Sequence, residues 1–478
     1  MTDLRVTTTQ GADTVLKGTA IEAFKTSLRG ELLRPTDSGY ETARTIWNAL
    51  IDHRPALIAR CTGAADVLAV VRFAREHDLL VSIRGGGHNI AGKAVCDGGL
   101  MIDLARMKSI RVDPVARTVR AEPGVLGGEF DRETQAFGLA APVGTVSTTG
   151  IAGLTLGGGQ SWLSSKYGFA IDNLLSVDIV TADGGLRTAS TTQHEDLFWA
   201  IRGAGHNFGV VTSFEFDAHP VGPVVPVAAT LYPARDAGAL LPAWREWAAT
   251  APDEAMSRAI FWWMPPDPSL PPALHDQDVF MAAAIHTGPA EEAQEVLQPL
   301  RELGTPLADL GREMPFRAFQ SAFDAFFPKG QLSSYWKSVY LDELSDDLVD
   351  LIVRHGVRRP APLTMLHVPM LGGAMARVDP DATAFGDRSA PFMLSVDGNW
   401  TDPAATPEAI AWVRDVVDEA ERFSTRGTYL NFSGREETAG PDLVGAAYGD
   451  NLAPLSELKR RYDPGNLFRM NSNIPPAP

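Results

Sequence analysis

The chain has 478 residues, 45% of them hydrophobic, so it is long enough for two or three globular domains with substantial cores. Its 42 Lys and Arg residues against 59 Asp and Glu residues give a formal charge of −17, which opposes binding to nucleic acid and to anionic membranes. The N-terminal residues have no basic stretch followed by an apolar one, and no segment stays apolar for the roughly 18 residues of a membrane span. We therefore predict a soluble, cytoplasmic protein.

Cysteine and histidine are too few and too scattered to predict a disulfide framework or a metal site. Cys61 and Cys96 form no CxxC pair, and we expect both to be buried packing residues. The ten histidines show no HxH or HxxxH spacing. The chemistry is therefore expected to depend on an organic cofactor or on acid and base side chains.

The first half of the chain contains short β-rich segments separated by Gly, Asp-Gly and Pro turns. The strands predicted between residues 55 and 217 are ALIARC, LLVSIR, LMIDL, TVRAE, LLSVDIVTA and VVTSFEF. The segment AADVLAVVRFAREHD instead repeats apolar residues at helical spacing and carries Arg and His late, where cations suit the helix dipole. This pattern predicts an α+β first domain at residues 1–218.

Proline density rises at residues 219–236, where we place a domain boundary. Helices then alternate with apolar strands, an order that predicts a sheet with helices on one face in a second domain at residues 219–425. The predicted helices are AGALLPAWREWAAT, AEEAQEVLQPLREL, SDDLVDLIVRHG and TPEAIAWVRDVVDEAERF, and the strands are AIFWWMP, VFMAAAIHT, YWKSVYL, TMLHVPML and FMLSVDGNW. Residues 426–478 are predicted to contain turns and small strands and to return to the first domain.

Three glycine clusters could hold a diphosphate: RGGGH at 84–88, LTLGGGQS at 154–161 and RGAGHNFGVV at 202–211. None has the order strand, GxGxxG, helix of a Rossmann site, and no GxxxxGK[ST] occurs. Glycine-rich loops can still curl successive backbone N–H groups around anionic oxygens. Each cluster alone is equally consistent with a tight turn, but their joint occurrence favours a dinucleotide site.

Longer motifs surround these clusters and carry a family resemblance. The RGGGHN loop, DGGLMIDLARM, AEPG, APVGTVSTTGIAGLTLGGGQS and DLFWAIRGAGHNFGVVTSFEF resemble the FAD domain of the vanillyl alcohol oxidase superfamily. The closing YLNF at 429–432 and the motif at 448–474 are similar to the berberine bridge enzyme-like oxidases. The resemblance covers nearly the whole chain. It implies a two-part PCMH-type FAD-binding domain and a substrate domain whose antiparallel sheet is covered by helices.

The resemblance implies that FAD is bonded through its 8α-methyl group to His88, which would present a neutral imidazole nitrogen. Asp103 is equally consistent with a structural strand-end residue, and a surface role is open for Asn471 and Asn473. The other residues implied to surround FAD, in addition to these two asparagines, are Arg84, Gly85, Gly86, Gly87, Asn89, Gly144, Thr145, Thr148, Thr149, Gly150, Gly153, Gly157, Gly158 and Val211.

Many members of the family have a second anchor, a cysteine, at the position that Val146 occupies here. Valine cannot form a thioether, so we expect FAD with one covalent bond. Cys96 is not expected to substitute for the missing cysteine. Thr149 stands where the family tends to have a small residue that admits dioxygen or a larger one that blocks it, and we favour an oxidase over a dehydrogenase.

For catalysis, a base must remove the proton from the substrate OH or NH while the flavin accepts hydride. By resemblance Tyr429 is the predicted base, and Lys337 is predicted to lower its pKa, although a lysine on a strand can equally be an exposed charge. If YLNF is a strand, Asn431 faces the same way as Tyr429 and is a plausible substrate contact.

The second domain supplies further candidate pocket residues. His367 is equally consistent with a core histidine and a pocket residue. Aromatic residues are more typical of a core, but some could select an aromatic or alicyclic substrate; they are Trp262, Trp263, Tyr335, Trp336 and Trp400. We therefore predict an FAD-linked oxidase that acts on a CH–OH or CH–NH group of a small metabolite and reduces O2 to H2O2. The alternatives are a dehydrogenase with another acceptor and a non-catalytic FAD- or metabolite-binding protein.

Overall fold

The computed structural model describes residues 2–268, 270–424, 427–434 and 441–478. A four-stranded sheet contains the strand that leads into the RGGGH loop. In spatial order its strands are Glu31–Leu33, Leu57–Arg60, Leu100–Asp103 and Val81–Arg84. The last three are parallel and nearly all of their residues are buried, as is typical of parallel strands covered on both faces. The RGGGH loop therefore starts at the C-terminal end of a buried strand.

A five-stranded antiparallel sheet forms the second part of the first domain. In spatial order its strands are Leu186–Ser190, Leu174–Val180, Val210–Asp217, Thr118–Ala121 and Ile110–Asp113. The helix Ala64–Glu76 contacts strands of both sheets, so its buried face joins their cores. Two short pairs complete this region: Leu4–Thr7 with Asp13–Leu16, and Leu139–Ala140 with His219–Pro220.

The eight-stranded sheet is antiparallel throughout. In spatial order its strands are Ala308–Asp309, Val224–Pro233, Asp278–His286, Ala255–Trp263, Met365–Pro369, Phe392–Trp400 and Ser333–Leu341, with Glu313–Pro315 also paired to Val224–Pro233. Four helices cover one face of this sheet; they are Ala237–Thr250, Ala290–Arg301, Asp346–Gly356 and Thr406–Ala420. Their apolar sides and the sheet share one large core. The opposite face turns toward the first domain.

The remaining α-helices connect the sheets and close the chain. They are Gly18–Ser27, Tyr40–Arg44, Gly127–Gln135, Ile151–Leu156, Ser164–Tyr167, Glu195–Ala204, Phe316–Gln320, Ala374–Arg377, Pro441–Tyr448 and Leu452–Tyr462. Within the described ranges no helix combines the length and apolar character that a bilayer-spanning segment requires. Cys61 and Cys96 are both buried, which confirms the prediction that they are packing residues.

The predicted α+β class is confirmed, and so are the strands and helices predicted in both halves of the chain. Two local predictions are wrong. The closing segment contains the helices Pro441–Tyr448 and Leu452–Tyr462 and, in its described part, no strand. The YLNF motif is not a strand, because Leu430–Phe432 forms a 3₁₀ turn. The predicted domain boundary at residues 425 and 426 lies outside the described residues.

The C-terminal segment contains a buried ion pair and is tied to the first domain by hydrogen bonds to Asn207. Lys459 Nζ lies 2.7 Å from Asp463 Oδ2 and also donates to the backbone oxygens of Asn207 and Phe468, at 2.6 and 3.0 Å. The backbone N–H of Ile474 donates to Asn207 Oδ1 at 2.9 Å. The RGAGHNFG loop is thus held in place by the last residues of the chain.

Candidate active site

A cavity of about 490 Å³ lies between the glycine loops of the first domain and the uncovered face of the eight-stranded sheet. Residues from distant parts of the chain meet on its wall. The predicted site residues that line it are Gly85, Gly86, Gly87, His88, Asn89, Thr145, Thr149, Gly150, Gly153, Gly157, Val211, Tyr429, Asn431 and Asn471. The sequence-based prediction therefore locates most of one continuous cavity.

Some predicted residues lie outside this wall; they are Arg84, Gly144, Thr148, Gly158, Asn473 and Lys337. Arg84 is buried behind the RGGGH loop, where its guanidinium donates to the Ala43 carbonyl and lies 3.9 Å from the Asp103 carboxylate. Asp103 ends its strand and accepts from the Ala105 N–H, which supports its structural interpretation. The Arg84 and Asp103 side chains therefore hold the start of the loop on the side away from the cavity.

The RGGGH loop touches the residue that precedes the helix Ile151–Leu156 through backbone atoms. A Cβ on Gly86 would lie 2.5 Å from the Gly150 Cα, and a Cβ on Gly150 would lie 2.5 Å from the Gly86 nitrogen. No side chain fits at such distances, so both positions require glycine. The absence of side chains here therefore makes room for the opposite loop, in addition to leaving backbone groups open to the cavity.

His88 presents an unpaired nitrogen at the cavity. Its Nε2 is buried and has no hydrogen-bond partner among the described residues. Its ring stacks on Trp47, with the ring centroids 4.5 Å apart and the planes at 26°. Burial lowers the pKa of His88 to about 4, so the imidazole is neutral at physiological pH. The site thus holds a neutral imidazole in one orientation, with its Nε2 unpartnered in the described chain.

Tyr429 lines the cavity and is hydrogen-bonded to the LTLGGGQS loop. Its hydroxyl oxygen accepts from the N–H groups of Gly159 and Gln160, at 2.9 and 3.1 Å, and from Asn431 Nδ2 at 3.0 Å. Burial raises the pKa of Tyr429, against the opposing effects of these donors and of Arg258. The hydroxyl therefore stays protonated at neutral pH while its oxygen is occupied by three protein donors.

The structure does not bring Lys337 to Tyr429. Lys337 lies in strand Ser333–Leu341, where alternate residues point to opposite faces. Trp336 lines the cavity and Ser338 Oγ contacts the Tyr429 carbonyl oxygen, so Lys337 points to the helix-covered side. Arg258, which the sequence did not single out, is a described cation whose charge lowers the pKa of Tyr429.

Arg258, His367 and Asp397 form the polar part of the sheet wall, and all three are buried. His367 Nε2 lies 3.2 Å from Asp397 Oδ2, and Ser395 Oγ donates to Asp397 Oδ1 at 2.6 Å. The Arg258 guanidinium donates to Gln160 Oε1 at 3.1 Å, and burial lowers its pKa to about 10. Of the two interpretations open for His367, the structure therefore supports the pocket position.

The rest of the sheet wall is apolar and aromatic. Trp336 lines the cavity, and its ring centroid lies 6.0 Å from that of Phe432. The other predicted aromatic residues, Trp262, Trp263, Tyr335 and Trp400, are outside the lining. Trp262 packs instead against a cluster that includes Phe323 and Phe327, which do reach the cavity.

Sequence reasoning also missed residues that position the loops. Trp47 stacks on His88, and Asn48 Nδ2 donates to the carbonyl oxygens of Ile90 and Ser334, both at 2.8 Å. Lys93 lines the cavity with Ser472 Oγ at 3.5 Å and no ion-pair partner among the described residues, and burial lowers its pKa. The sequence signal that could have identified Lys93 is its position, five residues after His88 at the end of the RGGGH loop.

Comparisons with known proteins agree with this geometry. A family profile described as FAD binding domain matches residues 55–190, and one described as berberine and berberine-like matches residues 428–475. The fold and site are those of an FAD-linked oxidoreductase. The chain belongs to the berberine bridge enzyme-like family of these enzymes, because full-length relatives reach 32% identity.

Two relatives illustrate this similarity. The chain is 32% identical to an uncharacterised FAD-linked oxidoreductase of Bacillus subtilis, over 95% of this chain and 98% of the relative. It is 30% identical to the (R)-6-hydroxynicotine oxidase of Paenarthrobacter nicotinovorans, over 94% and 97%.

Solved structures show the same fold. The crystal structure of 6-hydroxy-D-nicotine oxidase from Arthrobacter nicotinovorans superposes with a TM-score of 0.82 at 29% identity and covers 94% of this chain and 99% of that one. A BBE-like protein of Physcomitrella patens superposes with a TM-score of 0.85 at 22% identity over 96% and 99%. The second similarity is one of fold alone.

Proposed function

We propose that the protein carries FAD bonded to His88 alone and oxidises a CH–OH or CH–NH group of a small aromatic or alicyclic metabolite, with O2 reduced to H2O2. The observation that carries this proposal is the neutral His88 imidazole, whose Nε2 is buried at the cavity without a partner. Buried polar atoms are nearly always hydrogen-bonded or bonded to a ligand, so this nitrogen calls for a group that the cavity accepts.

The residues around His88 suit FAD. Backbone at Gly85, Gly86 and Gly150 is open to the cavity, where it can approach a diphosphate closely. Lys93 is a partly buried cation without an ion-pair partner among the described residues, and an anionic diphosphate or flavin oxygen would neutralise it. Asn471 lines the same region with a buried Oδ1 that lacks a partner in the described chain.

The covalent bond is proposed to be single. Val146 lines the cavity at the position of the family's second anchor, and its side chain has no sulfur to bond. Cys96 is fully buried and is not on the cavity wall, so it does not replace the second anchor. Thr149, a small residue, lies on the wall and supports the proposal that dioxygen reaches the site.

When bound, FAD accepts a hydride from the substrate carbon and passes two electrons on to dioxygen. The chain's own residues bind and orient the substrate and exclude water. Trp336 and Phe432 offer aromatic surfaces, and Ile260 and Met365 add aliphatic ones. Tyr429 and Asn431 hold the LTLGGGQS loop against this wall and leave the phenolic O–H as a donor for a substrate oxygen or nitrogen.

The substrate class rests on the aromatic wall and on one relative. A relative at 30% identity is named for (R)-6-hydroxynicotine, and its similarity extends over nearly the whole chain. We therefore place heterocyclic amines and arylalkyl alcohols first among the compounds to be tested.

The attachment is tested by in-gel fluorescence of the denatured protein. Wild type should give a fluorescent band, His88→Ala a dark band, and His206→Gln, which alters another histidine of the same cavity, a fluorescent one. A dark wild-type band, or fluorescence retained in His88→Ala, would overturn the bond to His88.

The reaction is tested by a peroxide-coupled screen of alcohols, amines and hydroxylated aromatics. We expect H2O2 formation and anaerobic bleaching of the flavin with at least one compound. Bleaching that persists for minutes after air is admitted would identify a dehydrogenase, and no bleaching with any compound would favour a binding protein.

A further inference from the structure

We propose that His367, held by Asp397, is the catalytic base that removes the substrate proton, and that Tyr429 is not. This inference rests on the proposed function and names a residue for it. His367 touches the substrate space directly, because it lines the cavity from the strand Met365–Pro369.

The two ring nitrogens of His367 have different surroundings. Nε2 lies 3.2 Å from Asp397 Oδ2, whereas Nδ1 is buried and has no hydrogen-bond partner among the described residues. A neutral imidazole has one N–H donor and one lone pair. Donation from Nε2 to the carboxylate therefore leaves the Nδ1 lone pair free, which is the state that a general base requires.

The sheet fixes this orientation through neighbouring strands. His367 is paired with Ser395, and Asp397 lies two residues further along the same strand, on the same face. Ser395 Oγ donates to Asp397 Oδ1 at 2.6 Å, which leaves Oδ2 for the imidazole. A carboxylate that orients an imidazole and stabilises its protonated form is the recurring support for a histidine base.

The nearby charges are balanced for proton uptake. The titratable and charged groups that face His367 from adjoining elements are Asp397, Arg258 and Tyr429. Asp397 and Arg258 carry opposite charges and act on each other, so the resting site is close to neutral. A proton taken up at Nδ1 would therefore produce an imidazolium directly beside the Asp397 carboxylate.

Tyr429 is less suited to this role. Its oxygen already accepts from three protein N–H groups, and burial raises its pKa, so at neutral pH it holds its own proton. Lys337, the residue expected to activate it, is on the other face of the sheet. Tyr429 can donate its hydroxyl proton to a substrate atom, but its oxygen is already occupied and is not free to accept the substrate proton.

The step balances as a two-electron oxidation. The substrate O–H or N–H bond breaks and its proton bonds to Nδ1 of His367, while the C–H bonding pair leaves as hydride to FAD. The substrate carbon gains a C=O or C=N bond. The hydride supplies two electrons and one hydrogen, and with the proton released from Nδ1 of His367 these would convert dioxygen to H2O2.

The test uses flavin-loaded protein and the fastest compound from the peroxide screen. Anaerobic flavin bleaching is followed by stopped flow from pH 5 to 10 in wild type, His367→Gln, Tyr429→Phe and His286→Gln. His286 is the matched control, because it is a buried histidine of the same sheet that does not line the cavity. Flavin content and melting temperature are measured for each variant.

We expect the bleaching rate of wild type to decline at low pH. His367→Gln should lower the limiting rate by about 10²- to 10⁴-fold and should remove this decline. Tyr429→Phe should keep that decline. Added imidazole should raise the bleaching rate of His367→Gly at least tenfold over the rate without imidazole. A histidine with a purely structural role would not give this rescue.

The inference is overturned if folded, flavin-loaded His367→Gln bleaches within threefold of wild type, or if Tyr429→Phe removes the low-pH decline. Lack of imidazole rescue in flavin-loaded His367→Gly also counts against it. Failure of wild type to bleach with any compound overturns the proposed function itself and this inference with it, and is thereby distinguished from a failure of His367 alone.

Discussion

Gly86 and Gly150 lie in van der Waals contact through their backbones, 64 positions apart in the chain, and a Cβ on either would overlap the other. The contact joins the RGGGH loop, which carries His88, to the start of the helix Ile151–Leu156. Gly86 and Gly150 both line the cavity, so its shape depends on this junction.

Gly86→Ala should therefore destabilise the fold by about 1–3 kcal/mol, since an added methyl group in a fully packed contact forces the backbones apart. Flavin content should fall as well. Gly238→Ala is the control, because a Cβ there meets nothing within 4 Å. Chemical denaturation and flavin absorbance measure the two effects. A Gly86→Ala variant as stable and as flavin-rich as wild type would contradict the close contact of the two loops.

Tyr429→Phe should lower the free energy of unfolding by about 1–3 kcal/mol, because the N–H groups of Gly159 and Gln160 lose their acceptor in a buried place. Tyr448→Phe removes a single long hydrogen bond, 3.4 Å to the Gly203 oxygen, and should have a smaller effect. Thermal melting of both flavin-loaded variants makes the comparison. Equal losses of stability in the two variants would show that the hydrogen bonds accepted by Tyr429 do not stabilise the fold more than the single bond of Tyr448.

Lys93→Met should stabilise the flavin-free protein near pH 7 and weaken flavin retention. Burial lowers the pKa of Lys93 in the folded state, so the unfolded chain binds the proton more tightly and stability rises with pH toward 10.5. The advantage of the methionine variant should shrink over that window. Urea unfolding of flavin-free protein at pH 7 and 10 measures it, in a His88→Ala background where flavin can be removed. An advantage that grows with pH would refute the assignment.

Asp131→Asn should remove a pH dependence between about pH 4 and 7. Asp131 is buried and burial raises its pKa to about 7 from 3.8, although Gln320 donates to it at 3.3 Å. The folded state therefore binds the proton more tightly, and wild-type stability falls as pH rises through this window.

The asparagine variant should match wild type near pH 4 and exceed it near pH 8 by up to about 4 kcal/mol. Glu133→Gln, at an exposed position of the same helix, is the control and should behave as wild type at both pH values. A wild-type protein whose unfolding free energy is flat from pH 4 to 8 would rule out a raised pKa at Asp131.

Local sequence patterns were sufficient for the fold and for the glycine loops, because both depend on runs of neighbouring residues. The motif around His88 and the strand Leu174–Val180 were found in this way. The YLNF motif was misread because four residues contain no period that distinguishes a strand from a 3₁₀ turn.

The sheet wall of the site was predicted less well, because it is assembled from non-local pairs. In YWKSVYL either alternate set could face the helices, and tertiary packing sends Tyr335 and Val339 to them and Trp336 to the cavity. Lys337 is two residues after Tyr335 in the strand and therefore lies on the same, helix-covered face. Arg258 and Asp397 come from separate strands, and each alone has the appearance of a charge at a sheet surface.

The ion pair between Lys459 and Asp463 has a consequence for biosynthesis. The loop at 203–209 is anchored by groups at Lys459, Asn471 and Ile474, which are translated long after the glycine loops. A nascent chain without them has the glycine loops and His88, but the part of the cavity wall formed by the 203–209 loop is not yet held in place. Cofactor capture should therefore follow translation of these residues rather than accompany it, and early termination would yield a chain that folds its sheets yet remains colourless.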